Sequence, residues 1–368
     1  MSLEELPDAP LPDVPPPWAV KAALAVRTWL LRLADRVVPA PAALFDLSIG
    51  LGKTHLLGAA ARHGFADHLA AGPLDAGALA RRTGLDEGAV HRCLRALVTV
   101  GVFRLDADGR FANNRLSDAL RARSLENVSS WVRYFSSAAN ARAWADLDAT
   151  LATGASAFDR VHGQTVWDWF EQHPDEREAF ALAMSGLTVA HGPAIAALYP
   201  FREVRSVCDV GGGMGTLVSE LLLRHPHLLG TLCDVAGVLE LARPVLARRG
   251  VSGRVKLEPG SIFEGVPPRS EAYVLKNVLH DWDDEACVRI LSNCRRAMGE
   301  GARLLLAELI VEERDVDGLG PLSDAHMLVA TCGGRERSAE ELARLGRRVG
   351  LAARRTFRSP IISVVELG

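Results

Sequence analysis

Short apolar runs that end in a charged residue alternate with helix-like segments in the second half of the chain. Four such runs cover residues 207–210, 229–234, 271–276 and 303–308, and they carry Asp209, Asp234, Lys276 and Glu308 at or near their ends. Their length and their Val and Leu content are typical of buried strands. Helices are predicted over 217–224 and 286–298 and from Ala339, the second of them opening on acidic residues. This alternation predicts an α/β fold with a doubly wound sheet, in which ligands bind outside the carboxyl ends of the strands.

The first half has the pattern of helices joined by short turns. Residues 74–84 and 86–97 predict two helices, of which the first ends at Gly84 and the second begins at Asp86. Two short apolar runs then flank the turn 106–109, which predicts a hairpin. Together these elements predict a winged helix.

A winged helix is compatible with two roles. Arg92 and Arg95 could face a DNA groove in a regulator whose second domain senses a ligand. Alternatively, the module serves for dimerisation and its arginines form a solvated face. The formal net charge of −3 favours the second role, because binding to nucleic acid relies on a basic surface.

The N-terminal 40 residues predict a Pro-rich leader, extended and mobile, followed by a helix over 18–38. Acidic residues, among them Glu4 and Glu5, exclude a signal peptide. Four basic residues within the helix argue against a membrane span, so we expect Trp29, Leu30 and Leu31 to pack on a partner subunit. The six cysteines form no C-x-x-C pair, which indicates reduced, mostly buried thiols in a cytoplasmic protein.

The loop after the first strand predicts a cofactor site. It reads Asp209-Val-Gly211-Gly212-Gly213-Met-Gly215 and lacks the Gly-Lys-Ser/Thr of a triphosphate loop. A dinucleotide fingerprint fails because position 216 is Thr, and the leading carboxylate would repel a pyrophosphate. A cationic or zwitterionic ligand such as S-adenosylmethionine suits the loop better. Asp234, in the position of a ribose-binding acid, agrees with this interpretation.

Candidate catalytic residues lie at the same edge of the predicted sheet. His280 immediately precedes an acidic helix start, Glu308 ends a strand, and Glu336 lies in the loop 333–338. One imidazole with two carboxylates would form a base with orienting partners. The helical region 144–184 carries aromatic and Met residues that are mostly core, although some should line a cleft, whereas His162, His173 and His191 are expected to be ordinary polar histidines.

These motifs resemble those of the S-adenosylmethionine-dependent small-molecule O-methyltransferases, from about Leu44 to the C-terminus. The resemblance implies that Asp209, Gly211 and Gly213 hold the methionyl end of the cofactor and Asp234 its ribose, with Lys276 alongside. It implies His280 as the general base between Glu308 and Glu336, and an intertwined homodimer. The expected acceptor-binding residues are Phe180, Met184, Asp281, His326 and Met327.

The sequence departs from the family at the adenine edge, where Gly-Asp is usual and this chain has Gly260-Ser261-Ile262-Phe263. Ser261 and Ile262 are expected to contact adenine, but Ser261 contributes no charge. The predicted domains are the leader and N-terminal helix over 1–40, the winged-helix dimerisation domain over 41–125, a helical linker and pocket over 126–195, and the catalytic domain over 196–368.

Three alternatives remain open from the residues. The scaffold could methylate carbon or nitrogen, or His280 and His326 could bind a metal with a nearby acid. The third alternative is the non-catalytic regulator. We expect no metal, because no third ligand is evident, and an aromatic small-molecule acceptor without a nucleic-acid or membrane partner. The Ala/Arg/Gly-rich composition resembles that of a high-GC bacterium, which favours secondary metabolism.

Overall fold

The computed structural model describes residues 7–122, 128–316 and 318–368, which form a helical N-terminal half and a C-terminal α/β half. Glu4, Glu5 and the predicted domain boundary at 125–126 lie outside the described residues.

Two N-terminal helices, α1 (Pro17–Val37) and α2 (Ala40–Ser48), contain no buried residue. The side chains of Trp29, Leu30 and Leu31 are 62%, 51% and 48% exposed. An exposed apolar surface of this kind is typical of a protein interface. It supports the prediction that this face packs on a partner subunit.

Residues 7–13 form no helix or strand, and they are docked on the C-terminal half rather than mobile. Leu11 is 2% exposed, and Arg224 and Arg249 donate hydrogen bonds to backbone carbonyls of this segment. The prediction of a mobile leader is therefore wrong. It failed because the two arginines follow more than 200 residues later, where no local pattern links them to the leader.

The winged-helix pattern is confirmed in its elements. Asp75 and Asp86 cap the amino ends of two helices, and Gly84 ends the first of them with a φ of 69°. Arg92 and Arg95 are exposed. This half contains α3 (Gly50–Arg62), α4 (Phe65–His68), α5 (Ala76–Thr83), α6 (Glu87–Thr99), β1 (Phe103–Leu105), β2 (Phe111–Asn113) and α7 (Arg115–Asp118).

A helical region connects the winged helix to the sheet. It contains α8 (Ser129–Phe135), α9 (Ala138–Ala145), α10 (Leu147–Thr153), α11 (Ala157–His162), α12 (Val166–Gln172) and α13 (Pro174–Leu198). Among the described residues, α13 is the one helix whose length and hydropathy would allow a membrane span. Half of its most apolar window is buried inside the fold, which is typical of a core helix.

The C-terminal half is a seven-stranded sheet with helices on both faces. Its elements are β3 (Ser206–Val210), α14 (Thr216–Arg224), β4 (Leu229–Asp234), α15 (Ala236–Arg248), β5 (Val255–Pro259), β6 (Ala272–Lys276), α16 (Asp284–Ala297), β7 (Arg303–Glu308), α17 (Gly320–Ala330), α18 (Ala339–Arg348), β8 (Ala353–Phe357) and β9 (Ser363–Leu367). The strand order is β5-β4-β3-β6-β7-β9-β8, and β9 runs antiparallel to both of its neighbours.

Successive residues of the central strands enter opposite cores. Val207 and Val274 belong to one apolar cluster, whereas Cys208 and Tyr273 belong to the other, as the two-residue period of a strand requires. Because β3, β4, β6 and β7 are parallel, their carboxyl ends meet at one edge of the sheet. That edge carries Asp209, Asp234, Lys276 and Glu308.

Candidate active site

The loop between β3 and α14 depends on glycine for two different reasons. Gly211 and Gly213 have φ values of 67° and 60°, which disfavour other residues. At Gly212, a Cβ atom would lie 2.4 Å from Cγ of Asp209 and 2.5 Å from Cδ1 of Leu232. The sequence motif singled out Gly211 and Gly213 but missed Gly212, since a pattern of glycines does not show which of them is sterically enclosed.

Two carboxylates fix this loop against the sheet. Asp234 accepts the N–H groups of Gly213 at 2.8 Å and Val235 at 2.7 Å. Asp209 accepts the N–H of Val218 at 3.2 Å through Oδ2, while its buried Oδ1 has no partner among the described residues. Burial raises the pKa of Asp209 to about 7, against the opposing effects of the Val218 N–H and of Lys276.

The charges at this edge fit S-adenosylmethionine. The unpartnered Oδ1 of Asp209 is an acceptor for an ammonium group, and a nearby cation would favour the ionised carboxylate. Lys276, at the end of β6, is a cation close enough to act on the Asp209 carboxylate. Burial lowers the pKa of Lys276 to about 8, although Asp209 and Glu308 act to raise it. A zwitterionic ligand with a carboxylate and cationic groups satisfies both side chains.

The loop 260–263 lies beside Asp234, because the N–H of Gly260 donates to the Asp234 carbonyl at 3.0 Å. Ser261 Oγ accepts the N–H of Phe263 at 3.3 Å, and the carbonyl of Ile262 accepts Nδ2 of Asn293 at 2.7 Å. The structure thus brings Ser261 and Ile262 to the same edge as Asp234, as predicted. Their contact with adenine stays a prediction.

His280 lies in a short 3-10 turn, Leu279–Asp281, among three carboxylates. Its Nδ1 is 3.0 Å from Oε1 of Glu336 and 4.0 Å from Oε2 of Glu308. Its Nε2 is 3.5 Å from Oδ1 of Asp281. The three residues expected to form the catalytic group are therefore close together, although they come from three separate parts of the sequence.

The carboxylates stabilise the charged form of the imidazole. Burial lowers the pKa of His280, but Asp281, Glu336 and Glu308 raise it more strongly, to about 10. With no ligand bound, the charged form of the His280 imidazole is therefore favoured at neutral pH. A cation in the neighbouring cofactor site would lower this pKa and favour the neutral base.

Glu308 and Glu336 are themselves held in place. Glu308 accepts the N–H groups of Val278 and Leu279 at 3.1 and 2.9 Å, and burial raises its pKa to about 7. Glu336 accepts the hydroxyl of Ser323 at 2.7 Å. Because both carboxylates are anchored, they fix the position of the imidazole between them.

The same three residues form a group with metal-compatible geometry. Among the described residues, one ligand atom from each of His280, Glu308 and Glu336 lies within 4.8 Å of the others. His326, which the metal-assisted alternative paired with His280, is not in this group. Since His280 and Glu336 already hydrogen-bond each other, they need no ion to hold them together, and the absence of a metal stays a prediction.

An aromatic cluster surrounds His326 in α17. Nε2 of His326 is 3.4 Å from the hydroxyl of Tyr134, and its ring lies 4.6 Å from Phe135 and 6.1 Å from Trp144, nearly parallel to the latter. Burial and the charge of His280 lower the pKa of His326 to about 4, so this imidazole is neutral. Sequence reasoning missed Tyr134 and Phe135, although together with Trp131 they show an i, i+3, i+4 helical spacing.

The other predicted acceptor-binding residues are distributed around this cluster. Phe180 lies 5.3 Å from Tyr134 between ring centroids, and Met184 packs on the same cluster. Burial raises the pKa of Tyr134, and the negative charge of Asp281, which is next to His280 in the chain, raises it further. Met327 is buried next to His326 in the chain but is not part of the cluster.

His191 differs from the expected ordinary polar histidine. It is 9% exposed in α13, and its Nδ1 has no partner among the described residues. Burial lowers the pKa of His191 to about 3, with smaller effects from the charges of Lys276 and His280. The prediction was wrong because the residues next to His191 in the sequence do not show that tertiary contacts bury this part of α13.

The chain matches two family models, one for an O-methyltransferase domain over residues 144–352 and one for an O-methyltransferase dimerisation domain over residues 45–123. The mitomycin biosynthesis 6-O-methyltransferase of Streptomyces lavendulae is 36% identical over 313 residues, which are 85% of this chain and 89% of that protein. Relatives also include a phenazine-1-carboxylate N-methyltransferase of Pseudomonas aeruginosa, 31% identical over 86% of this chain and 94% of its own length.

Solved structures show the same architecture. The crystal structure of LaPhzM has a TM-score of 0.87 and 33% identity, covering 90% of this chain and 99% of the other. A second match is the O-methyltransferase NcsB1 from neocarzinostatin biosynthesis, solved in complex with S-adenosylmethionine and 2-hydroxy-5-methyl naphthoic acid. It has a TM-score of 0.73 and 33% identity, covering 85% of this chain and 95% of the other.

These matches decide between the alternatives for the first half of the chain. Its winged helix corresponds to the dimerisation domain of an enzyme family, so the interpretation as a non-catalytic regulator is set aside. The cofactor loop and His280 lie in the matched catalytic domain. The chain therefore belongs to the O-methyltransferase family and is an S-adenosylmethionine-dependent methyltransferase.

Proposed function

We propose that this enzyme methylates a phenolic hydroxyl of a planar aromatic metabolite in bacterial secondary metabolism, as a homodimer. The observation that carries the proposal is the position of His280 between three carboxylates and the aromatic cluster around His326. Ser323 and His326 lie three residues apart on α17, and the hydroxyl of Ser323 donates to Glu336, so α17 connects the base to the aromatic cluster. A flat ring suits the aromatic walls, and its hydroxyl suits the imidazole.

The residues of this chain contribute positioning and proton transfer. S-adenosylmethionine supplies a methyl group already activated on a sulfonium centre. Asp209, Asp234 and Lys276 hold the cofactor, and Nε2 of His280 takes the proton of the acceptor hydroxyl. Glu336 keeps the proton on Nδ1, and the resulting imidazolium is stabilised by Asp281 and the two glutamates.

The dimer is supported by the exposed apolar faces of α1 and α2 and by the matched dimerisation domain. The free thiols, of which Cys208, Cys233, Cys287 and Cys294 are buried, support a reducing compartment, and we place the enzyme in the cytoplasm.

A second candidate is methylation of an aromatic amine, which the N-methyltransferase among the relatives supports. The two candidates differ in what His280 must do, because an amine loses its proton readily after transfer. The amine reaction should therefore depend less on the imidazole.

The test uses purified protein, methyl-labelled S-adenosylmethionine and matched pairs of naphthols and naphthylamines, with products read by mass spectrometry. We expect label on the naphthols, lost in the His280→Ala variant and unaffected by a chelator. Label on the amines alone would overturn the hydroxyl assignment, and inhibition by the chelator would indicate a metal-assisted reaction.

A further inference from the structure

Residues 7–13 form a strap across the outer side of the cofactor-binding half. The backbone N–H of Leu11 lies 3.1 Å from each carboxylate oxygen of Glu220. Its side chain is 2% exposed, which is unusual for a residue in a Pro-rich segment without secondary structure. The strap is therefore part of the folded core on this side.

The strap completes a buried charged centre. Glu220 is fully buried, forms a close ion pair with Arg249, and accepts Nε of Arg224 at 2.5 Å. Carbonyl oxygens of the strap accept further guanidinium N–H groups, since those of Pro7 and Ala9 bind Nη1 of Arg249 at 3.0 and 3.1 Å. The carbonyl of Leu11 binds Nη2 of Arg224 at 2.5 Å. Without the strap, two guanidinium groups would lose acceptors that their burial requires.

The same strap reaches the cofactor loop. The side chain of Leu11 packs in an apolar cluster with Met214, Ala181 and Val245. Met214 lies inside the glycine loop 211–215 and is 3% exposed. Glu220 lies on α14, which begins directly after that loop. Leu11 thus shares an apolar cluster with a side chain of the loop, and its backbone N–H binds Glu220 on the helix that follows.

We propose that the side chain of Leu11 is a positioning group for the cofactor, acting through the apolar cluster with Met214 to hold the loop 211–215 in its binding geometry, while its backbone N–H anchors the strap to Glu220. The inference rests on the proposed role of this loop in holding S-adenosylmethionine. When Leu11 is absent, the loop samples other conformations, and binding of the cofactor must then order it. The cofactor affinity falls by the cost of that ordering.

The test measures the Kd for S-adenosylmethionine by calorimetry, without acceptor, together with the Tm of each variant. Leu11→Ala should raise the Kd about 10-fold, and deletion of residues 1–13 should raise it further. Leu11→Met, which keeps an apolar side chain of similar volume, should restore the wild-type Kd. The KM for the acceptor, measured at saturating cofactor, should change little.

Two matched controls separate positioning from general destabilisation. Leu94→Ala removes a fully buried leucine from the winged-helix core, so it should lower the Tm and leave the Kd unchanged. Asp13→Asn removes the exposed partner of Arg224 and should change neither quantity much.

The proposal is overturned if Leu11→Ala lowers the Tm with a wild-type Kd, or if Leu94→Ala raises the Kd equally. Since the assay contains no acceptor, a wrong acceptor class would not affect this result, and a wild type that fails to bind the cofactor would contradict the site itself.

Discussion

Nδ1 of His280 lies 3.0 Å from Oε1 of Glu336, and the same oxygen accepts the hydroxyl of Ser323 at 2.7 Å. A carboxylate in this position keeps a proton on Nδ1 and leaves Nε2 as the basic nitrogen. The relationship explains how a histidine in a short turn can have a fixed orientation. It also separates two contributions to catalysis, the base itself and the group that orients it.

The first prediction concerns these two contributions. His280→Ala should lower kcat by about 100-fold or more, the usual contribution of a general base, while the Kd for S-adenosylmethionine changes little. Glu336→Gln should lower kcat by a smaller factor, because an amide still hydrogen-bonds the ring but does not stabilise its charge. Steady-state kinetics and calorimetry check both. Unchanged turnover in His280→Ala would remove the base assignment.

The second prediction concerns the pH dependence of the reaction. Asp281, Glu336 and Glu308 raise the pKa of His280 to about 10 in the free enzyme, and a base must be neutral to act. The value of kcat at saturating cofactor, where loss of the Lys276 charge above about pH 8 does not limit cofactor binding, should therefore rise with pH above neutrality. Its plateau should come below about pH 10, because the bound cation lowers the pKa of His280. In Asp281→Asn, one of the carboxylates that raise this pKa is lost, so the rise should move to lower pH.

The control for this profile is Glu285→Gln, which changes an exposed carboxylate at the start of α16 that pairs with Arg348. It should leave the profile in place. A profile that Asp281→Asn does not move, or moves to higher pH, would show that another group limits the rate.

Much of the fold and the core of the site could be predicted because their signals are local. The strands Leu229–Asp234 and Arg303–Glu308 have the predicted bounds, since apolar runs and terminal charges lie within a few residues. His280, Glu308 and Glu336 were predicted to converge because the carboxyl ends of parallel strands share one edge.

The features that sequence reasoning missed depend on contacts between distant segments. Leu11 is held in its buried position because Glu220 and Arg224, far along the chain, bind its backbone N–H and carbonyl. Tyr134 becomes part of the aromatic cluster only where α8 meets α17, through its contact with His326. The enclosure of Gly212 by Asp209 and Leu232 likewise requires the packed structure.

The third prediction tests this enclosure. In Gly212→Ala, the new Cβ would collide with Asp209 and Leu232, which are fixed by the sheet, so the loop must shift. Overpacking of this kind costs about 1–3 kcal/mol. Because this loop is the proposed cofactor-binding loop, its displacement should raise the Kd for S-adenosylmethionine by about 5-fold or more. Calorimetry and thermal unfolding measure the two effects.

Gly253→Ala is the matched control, because a Cβ atom at Gly253 would meet no atom within 4 Å. It should leave both the Kd and the Tm near the wild-type values. A Gly212→Ala variant with wild-type cofactor affinity would show that the loop can relax without disturbing the site.

The fourth prediction concerns the adenine edge, where Ser261 replaces the Asp that resembling enzymes usually have. Ser261 Oγ accepts the N–H of Phe263 at 3.3 Å, a geometry that an Asp carboxylate can also adopt. In Ser261→Asp, the second carboxylate oxygen becomes available to accept a donor from the adenine amino group, and charged acceptors form the stronger hydrogen bonds. The Kd for S-adenosylmethionine should fall by a few-fold, whereas Ser261→Ala should raise it slightly. Calorimetry with S-adenosylmethionine and with an analogue lacking the adenine amino group separates a hydrogen bond to adenine from an effect on the loop. If the new carboxylate binds the amino group, the gain in affinity of Ser261→Asp should disappear with the analogue. Equal gains with both ligands would mean that residue 261 acts on the loop rather than on adenine.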